Sequence, residues 1–177
     1  MIQLAKRIAV STLDWSTVDA DPGLARIWAR RDDLLDALAP VPRVLSHGDF
    51  HVDQLSAAGD STIVLDWSTL GVGPAGSDLA HLVLSTVDGH EALYQAYLDG
   101  LGATVPADLV RTGCRITLAL TGTSRVHWML ANEALFGLAL SPEPTLVDEP
   151  SPAGTVDTSG DFKQRSEQVF LAMAIVF

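Results

Sequence analysis

The sequence contains a single cysteine, Cys114, so it can form neither an internal disulfide nor a zinc site built from several thiolates. Scarce cysteine fits a reducing compartment. No apolar run approaches the roughly 20 residues that a membrane-spanning helix needs. The first residues, MIQLAKRIAV, lack the long apolar core and the small-residue cleavage site of a signal peptide. We therefore expect a cytoplasmic protein that makes no membrane contact.

Basic residues are missing where the chain is most acidic. Between Val44 and Val110 there is no lysine or arginine, whereas nine aspartates and glutamates occur, and the whole chain has a net charge of −11. Such a region repels a phosphate backbone, which argues against nucleic-acid binding. It attracts divalent cations and cationic substrates instead.

The 177 residues fit one domain, in which helices precede and follow one small β-hairpin. Apolar periodicity and turn residues predict helices over residues 1–13, 24–38, from 77 or 78 onward, 91–101 and 106–140, the last with a break near Gly122. Strands are predicted at 44–45 and 61–67, with a turn at 56–60 and a glycine-rich loop at 71–76. The sequence thus predicts an α+β fold with a core unit over residues 1–140, a Pro- and Ser-rich linker over 141–160 and a C-terminal helix over 161–177.

The chemically interesting side chains lie between residues 44 and 80. Gln54 follows Asp49 by five residues, and Asp66 comes twelve residues later, near the end of a predicted strand. A hairpin could bring all three around one cavity. Carboxylate and amide oxygens suit Mg²⁺, which usually takes one or two protein carboxylates together with substrate phosphates. One carboxylate then remains to orient a hydroxyl and accept its proton.

A metal-dependent hydrolase is the alternative interpretation of this cluster. It would use His47, Asp49, His51 and Asp66. Such enzymes need further imidazole or acidic ligands at set spacings. The sequence supplies too few at recognisable positions, so we do not favour this interpretation.

The motifs HGDFHVDQL (47–55) and VLDW (64–67), followed by Gly73-Pro74 and Asp78-Leu79-Ala80, resemble those of the aminoglycoside phosphotransferase and choline kinase-like family. The resemblance implies a fold similar to the mostly helical C-terminal lobe of protein kinases, in which a small β-hairpin carries the catalytic and metal-binding loops. It also implies ATP-dependent transfer of the γ-phosphoryl group to a hydroxyl of a small molecule such as an aminoglycoside-like compound, a sugar or an amino alcohol. The expected cofactors are Mg²⁺ and ATP, or another nucleoside triphosphate.

The resemblance also implies a role for each residue of the motifs. Asp49 would be the catalytic base, and Gln54 and Asp66 would bind Mg²⁺, with Gln54 standing where the family usually has asparagine. His47 and Asp78 would support the loop, although capping of the next helix would also explain Asp78. His51 and Asp53 are candidates for ligand contact, and loop polarity alone would also explain them.

One half of the expected enzyme has no counterpart in the sequence. Family members cover the nucleotide with an N-terminal β-rich lobe that supplies a glycine loop and a lysine. Only 46 residues precede His47, and they contain one glycine, Gly23, and one lysine, Lys6. We therefore expect a C-lobe without the β-rich lobe. The chain could be a fragment, a lobe completed by another chain, or a non-catalytic binding module that is derived from the same fold and forms a homo-oligomer.

Overall fold

A computed structural model of the chain describes Ile8 and residues 12–132. Most of the predicted helix over residues 1–13, the predicted linker over 141–160 and the predicted helix over 161–177 lie outside the described residues. Within them, five α-helices and four short strands form one α+β unit. The helices are α1 (Pro22–Ala29), α2 (Arg31–Asp36), α3 (Ser77–Val83), α4 (His90–Leu101) and α5 (Ala107–Ala131). The predicted fold class, mostly helical with a small β-hairpin, is confirmed.

The predicted helix over residues 24–38 is two helices that meet at Arg30. The backbone of Arg30, at φ −99° and ψ 15°, leaves the helical region. Asp21 caps α1 by accepting a 2.6 Å hydrogen bond from the Gly23 N–H, and Pro22 occupies the first turn, where its missing N–H is harmless. Leu24 and Trp28 of α1 are buried in the same core as Leu38 beyond α2.

The strands form two antiparallel ribbons. Strands β1 (Arg43–Ser46) and β4 (Gly71–Pro74) pair with Leu45 opposite Val72, and strands β2 (Leu55–Ala58) and β3 (Ser61–Val64) pair with Leu55 opposite Val64. The prediction of a loop over residues 71–76 was wrong, because its first four residues form β4. The predicted strand 61–67 ends three residues early, at Val64.

Helix α5 is the central support of the unit. Its 25 residues continue through Gly113 and Gly122, so the predicted break near Gly122 is absent. Buried residues on both sides of Gly122, such as Leu118 and Val126, fix the helix against the core. None of the helices in the described part of the chain is long and apolar enough to cross a membrane.

Candidate active site

The loop between β1 and β2 is fixed by the buried imidazole of His47. Its Nε2 lies 2.8 Å from the carbonyl oxygen of Leu65, and its Nδ1 accepts a 3.4 Å hydrogen bond from the N–H of Asp49. An acceptor at Nδ1 and a carbonyl at Nε2 require the neutral tautomer that is protonated on Nε2. His47 therefore ties the backbone of Asp49 to the residue that precedes Asp66. The indole of Trp67 contacts the same imidazole, with ring centroids 4.8 Å apart.

Asp78 holds the same loop from the first turn of α3. Its carboxylate accepts hydrogen bonds from the Ser46 hydroxyl at 2.7 Å, the His47 N–H at 2.8 Å and the Gly48 N–H at 3.0 Å. The residue that caps α3 is Gly76, and no side chain makes a capping hydrogen bond. The capping explanation of Asp78 was therefore wrong, because all of these donors belong to the end of β1 and the start of the loop that follows it.

We expect Asp78→Asn to destabilise the fold by about 2–3 kcal/mol, since an amide NH₂ would face a backbone N–H where a carboxylate oxygen now accepts. Urea unfolding measures the loss, and hydrogen exchange of the His47 and Gly48 amides locates it. Asp88→Asn removes the same charge from an exposed residue and is expected to change stability little. Equal effects of the two variants would contradict this anchoring role.

Asp49 lies between a guanidinium and an imidazole. Its Oδ1 is 3.4 Å from Nη2 of Arg125 on α5, and its Oδ2 is 3.7 Å from Nε2 of His51. The carboxylate remains 34% exposed, so a small molecule can reach it from solvent.

His51 contacts three polar residues of the loop. Besides Asp49, its Nδ1 lies 3.5 Å from Oδ2 of Asp53, and its Nε2 lies 3.4 Å from the side-chain amide of Gln54. The distance to Asp53 is short enough for an ion pair, but the geometry is not that of a hydrogen bond. The Asp53 side chain is 86% exposed. The structure thus brings Asp49, His51 and Gln54 together and leaves the Asp53 side chain mostly exposed to solvent.

Gln54 and Asp66 lie at the same end of the β2–β3 ribbon, where the Leu65 N–H donates to the Gln54 carbonyl at 2.8 Å. Asp66 adopts the left-handed conformation, with φ 52°. Its Oδ1 accepts from the Ser68 hydroxyl at 2.5 Å and from the Ser68 N–H at 3.4 Å. The hydroxyl hydrogen bond, and secondly the N–H, lower the pKa of the exposed Asp66 carboxyl. Asp66 therefore stays ionised at neutral pH.

The donor set around Gln54 and Asp66 fits a cation that binds partly through its substrate. In the described part of the chain, no three histidine, cysteine or acidic side chains are grouped closely enough to hold a metal by themselves. Mg²⁺ does not require such a cage, since phosphate oxygens and waters complete its octahedron. Asp66 and Gln54, at the same end of the ribbon, supply an ionised carboxylate and an amide, two of the donors that such a cation would use.

Comparison with known proteins identifies the family. The family model described as APH, phosphotransferase enzyme family, matches residues 4–111. The chain belongs to this family. None of the curated proteins compared with it matches significantly.

One solved structure shows the same fold for this phosphotransferase-family chain. It is a choline/ethanolamine kinase family protein from Mesorhizobium loti, with 20% sequence identity and a TM-score of 0.58. The alignment covers 97% of this chain and 55% of that one. The chain thus spans about half the length of the structure that it matches.

Two contacts of the loop between β1 and β2 could not be predicted from the motifs. Arg125 lies 76 residues from Asp49 in the chain and beyond the part matched by the family model. The lack of basic residues between Val44 and Val110 indicates only that a cation near Asp49 must come from elsewhere. Thr69, whose hydroxyl donates to the His47 carbonyl at 2.6 Å, carries no sequence signal of its own.

Proposed function

We propose that this phosphotransferase-family chain contributes the hydroxyl-activating and metal-binding half of an ATP-dependent small-molecule kinase. The observation that carries the proposal is the pair of contacts made by His47, to the N–H of Asp49 and to the carbonyl of Leu65 beside Asp66. Phosphoryl transfer depends mostly on positioning and electrostatics. A rigid link between a proton acceptor and a metal ligand is what that reaction needs.

In this proposal Asp49 is the base. The acceptor hydroxyl approaches the partly exposed carboxylate of Asp49. The hydroxyl oxygen forms a bond to the γ-phosphorus, and the bond from phosphorus to the β,γ-bridging oxygen breaks. The hydroxyl proton passes to Asp49. Arg125 contacts Oδ1 of Asp49, and His51 lies near Oδ2. These contacts restrict rotation of the carboxylate and so favour productive geometry.

Asp66 and Gln54 would hold Mg²⁺ together with the nucleotide phosphates. The bound cation would neutralise charge on the transferring phosphoryl group. Ser68 supports this role, because its hydrogen bonds keep the Asp66 carboxylate ionised and oriented.

The acceptor that we propose is a hydroxylated cation, such as an amino alcohol or an aminoglycoside-like compound. The part of the chain that forms the loop contains no lysine or arginine between Val44 and Val110. An amine or quaternary ammonium group would be attracted to such a surface, whereas a neutral sugar would gain nothing from it.

We further propose that exposed apolar residues on and beside the two ribbons pack against the nucleotide-covering half of the enzyme. Leu45 is 73% exposed and Val72, opposite it, 50% exposed. Leu65, Trp67 and Leu70, which flank Asp66, are also about half exposed. Exposed apolar patches of this kind mark surfaces that are covered by association. Leu65 and Trp67 directly precede and follow Asp66 in the sequence, where a covering lobe would meet the phosphates.

Metal-dependent nucleotide binding tests the proposal. We expect the chain to bind a fluorescent ATP analogue in the presence of Mg²⁺ and to lose most of that binding with EDTA. Asp66→Ala should have the same effect as EDTA, because it removes the ionised ligand. Asp60→Ala is the matched control, since it removes a carboxylate from the turn at the opposite end of the same ribbon. Nucleotide binding that is unchanged by EDTA and by Asp66→Ala would contradict the proposal and favour a binding module without catalysis.

A further inference from the structure

A cavity lies among α3, α4 and α5, and none of its lining residues belongs to the loop described above. Its volume is about 160 Å³. The buried part of its lining, which we call the floor, consists of Leu79, Val83, Tyr94 and Cys114. The more exposed part, which we call the rim, consists of His90, Glu91, Arg111 and Arg115.

The floor fits one small apolar group. A cavity of about 150 Å³ lined by apolar side chains stays dry and binds benzene, so this cavity can hold a single ring or a short branched chain. The thiol of Cys114 does not change this character. Burial raises its pKa to about 12, so it is neutral at physiological pH and places no negative charge beneath a ligand.

The rim is basic in a strongly acidic chain. Arg111 and Arg115 are the first basic residues after Val44, and they lie one turn apart on α5. The rim also contains one carboxylate, Glu91, and the imidazole of His90. Arg111 and Arg115 thus place two guanidinium groups at the rim of this cavity, in a chain that as a whole repels anions.

Arg111 is held in place by an aromatic ring. Its Cζ lies 4.2 Å from the centroid of Tyr94, a cation–π contact that fixes the guanidinium above the floor. In the described part of the chain no ion pair joins Arg111 to a carboxylate. Its N–H donors therefore remain for a ligand, and a carboxylate is the planar partner that matches them.

We propose that this cavity binds a small amphipathic carboxylate, with its single ring or branched chain on the floor and its carboxylate on Arg111 at the rim. The apolar floor accepts the ring or branched chain, and Arg111 at the rim accepts the carboxylate. This binding does not depend on the proposed phosphotransfer, because the two sites share no residue.

Phenylacetate is the probe for the test. We expect its titration into the ¹⁵N-labelled chain to shift the amide resonances of Leu79, Tyr94 and Cys114 in a saturable way. Arg111→Gln should weaken binding about tenfold or more, as expected for loss of a charged hydrogen-bond donor. Arg43→Gln, which removes an exposed arginine from β1, should leave binding unchanged. A melting temperature recorded for each variant shows whether it is folded.

Two further probes separate the two halves of the ligand. 2-Phenylethanol retains the ring without the charge, and acetate retains the charge without the ring, so each should bind at least about tenfold more weakly than phenylacetate. Equal binding of 2-phenylethanol would overturn the role of Arg111, and equal binding of acetate would overturn the role of the floor. Absence of saturable shifts with phenylacetate would overturn the site itself. None of these results depends on ATP or Mg²⁺, so failure here is distinguishable from failure of the proposed function.

Discussion

Asp49→Asn is expected to lower ATP-dependent phosphorylation of the acceptor by about 10²–10⁴-fold, the range contributed by general bases. The asparagine oxygen can still orient a hydroxyl, but it cannot take up the proton. Nucleotide binding should change little, because Asp66 and Gln54 are intact. The measurement is the rate of phosphate transfer from ATP to a panel of hydroxylated amines and sugars, with wild-type and variant compared on the same acceptor.

Asp60→Asn is the control for the loss of one negative charge, since Asp60 lies in the turn between β2 and β3. Its rate should equal that of the wild type. If Asp49→Asn retained the wild-type rate to within about threefold, Asp49 would not be the base, because so small a change corresponds to less than 1 kcal/mol of transition-state stabilisation. The neighbouring carboxylate of Asp53 would then be the next candidate.

Much of the loop could be predicted from the sequence because its signals are local. The apolar, β-branched run before Asp66 and the turn at Gly59 indicate β3 and the turn that precedes it. Strand β2 was not predicted, because residues 56–58, which were predicted to lie in the turn, pair with β3. The motif places Asp49 and Gln54 on the chain segment that enters this ribbon. Spacing within twenty residues was therefore enough to bring Gln54 and Asp66 to one end of a hairpin.

Strand β4 could not be predicted in the same way, because its sequence, GVGP, has the composition of a loop. It is a strand only because β1 provides its hydrogen-bond partners. Gly73 serves this packing. A Cβ there would lie 2.7 Å from the Ser77 hydroxyl and 3.1 Å from the side chain of Ser46. Ser77 directly precedes Asp78, and Ser46 directly precedes the loop. Tertiary contact decided the conformation, and local propensity pointed elsewhere.

The partner of Asp49 was hidden for a related reason. Three arginines lie on α5, at positions 111, 115 and 125. Which of them reaches the loop depends on how α5 is rotated and placed against α3, a property of the assembled core. Helical periodicity gives the buried face of α5 but not its neighbours. Arg125 therefore becomes identifiable only once the close contact of α3 with α5 is known.

The close contact of α3 with α5 depends on a glycine, Gly113. We expect Gly113→Ala to destabilise the fold by about 3 kcal/mol or more. A Cβ at Gly113 would lie 2.0 Å from the carbonyl oxygen of Ala75 and 3.2 Å from Cγ1 of Val41. The first of these atoms belongs to the backbone just before α3, so no side-chain rotation can relieve the clash. The end of β4 and the start of α3 must move away from α5.

Asp78 lies three residues after Ala75, so this displacement should also loosen its hydrogen bonds to His47 and Gly48. Urea unfolding measures the stability loss, and hydrogen exchange of those two amides measures its effect on the loop. Gly100→Ala is the matched control. A Cβ at Gly100 meets no atom within 4 Å, so higher helix propensity should leave the fold unchanged or stabilise it by up to about 1 kcal/mol. If both variants were as stable as the wild type, α5 would not be packed against the Ala75 carbonyl. Contacts other than this one would then have to position Asp78.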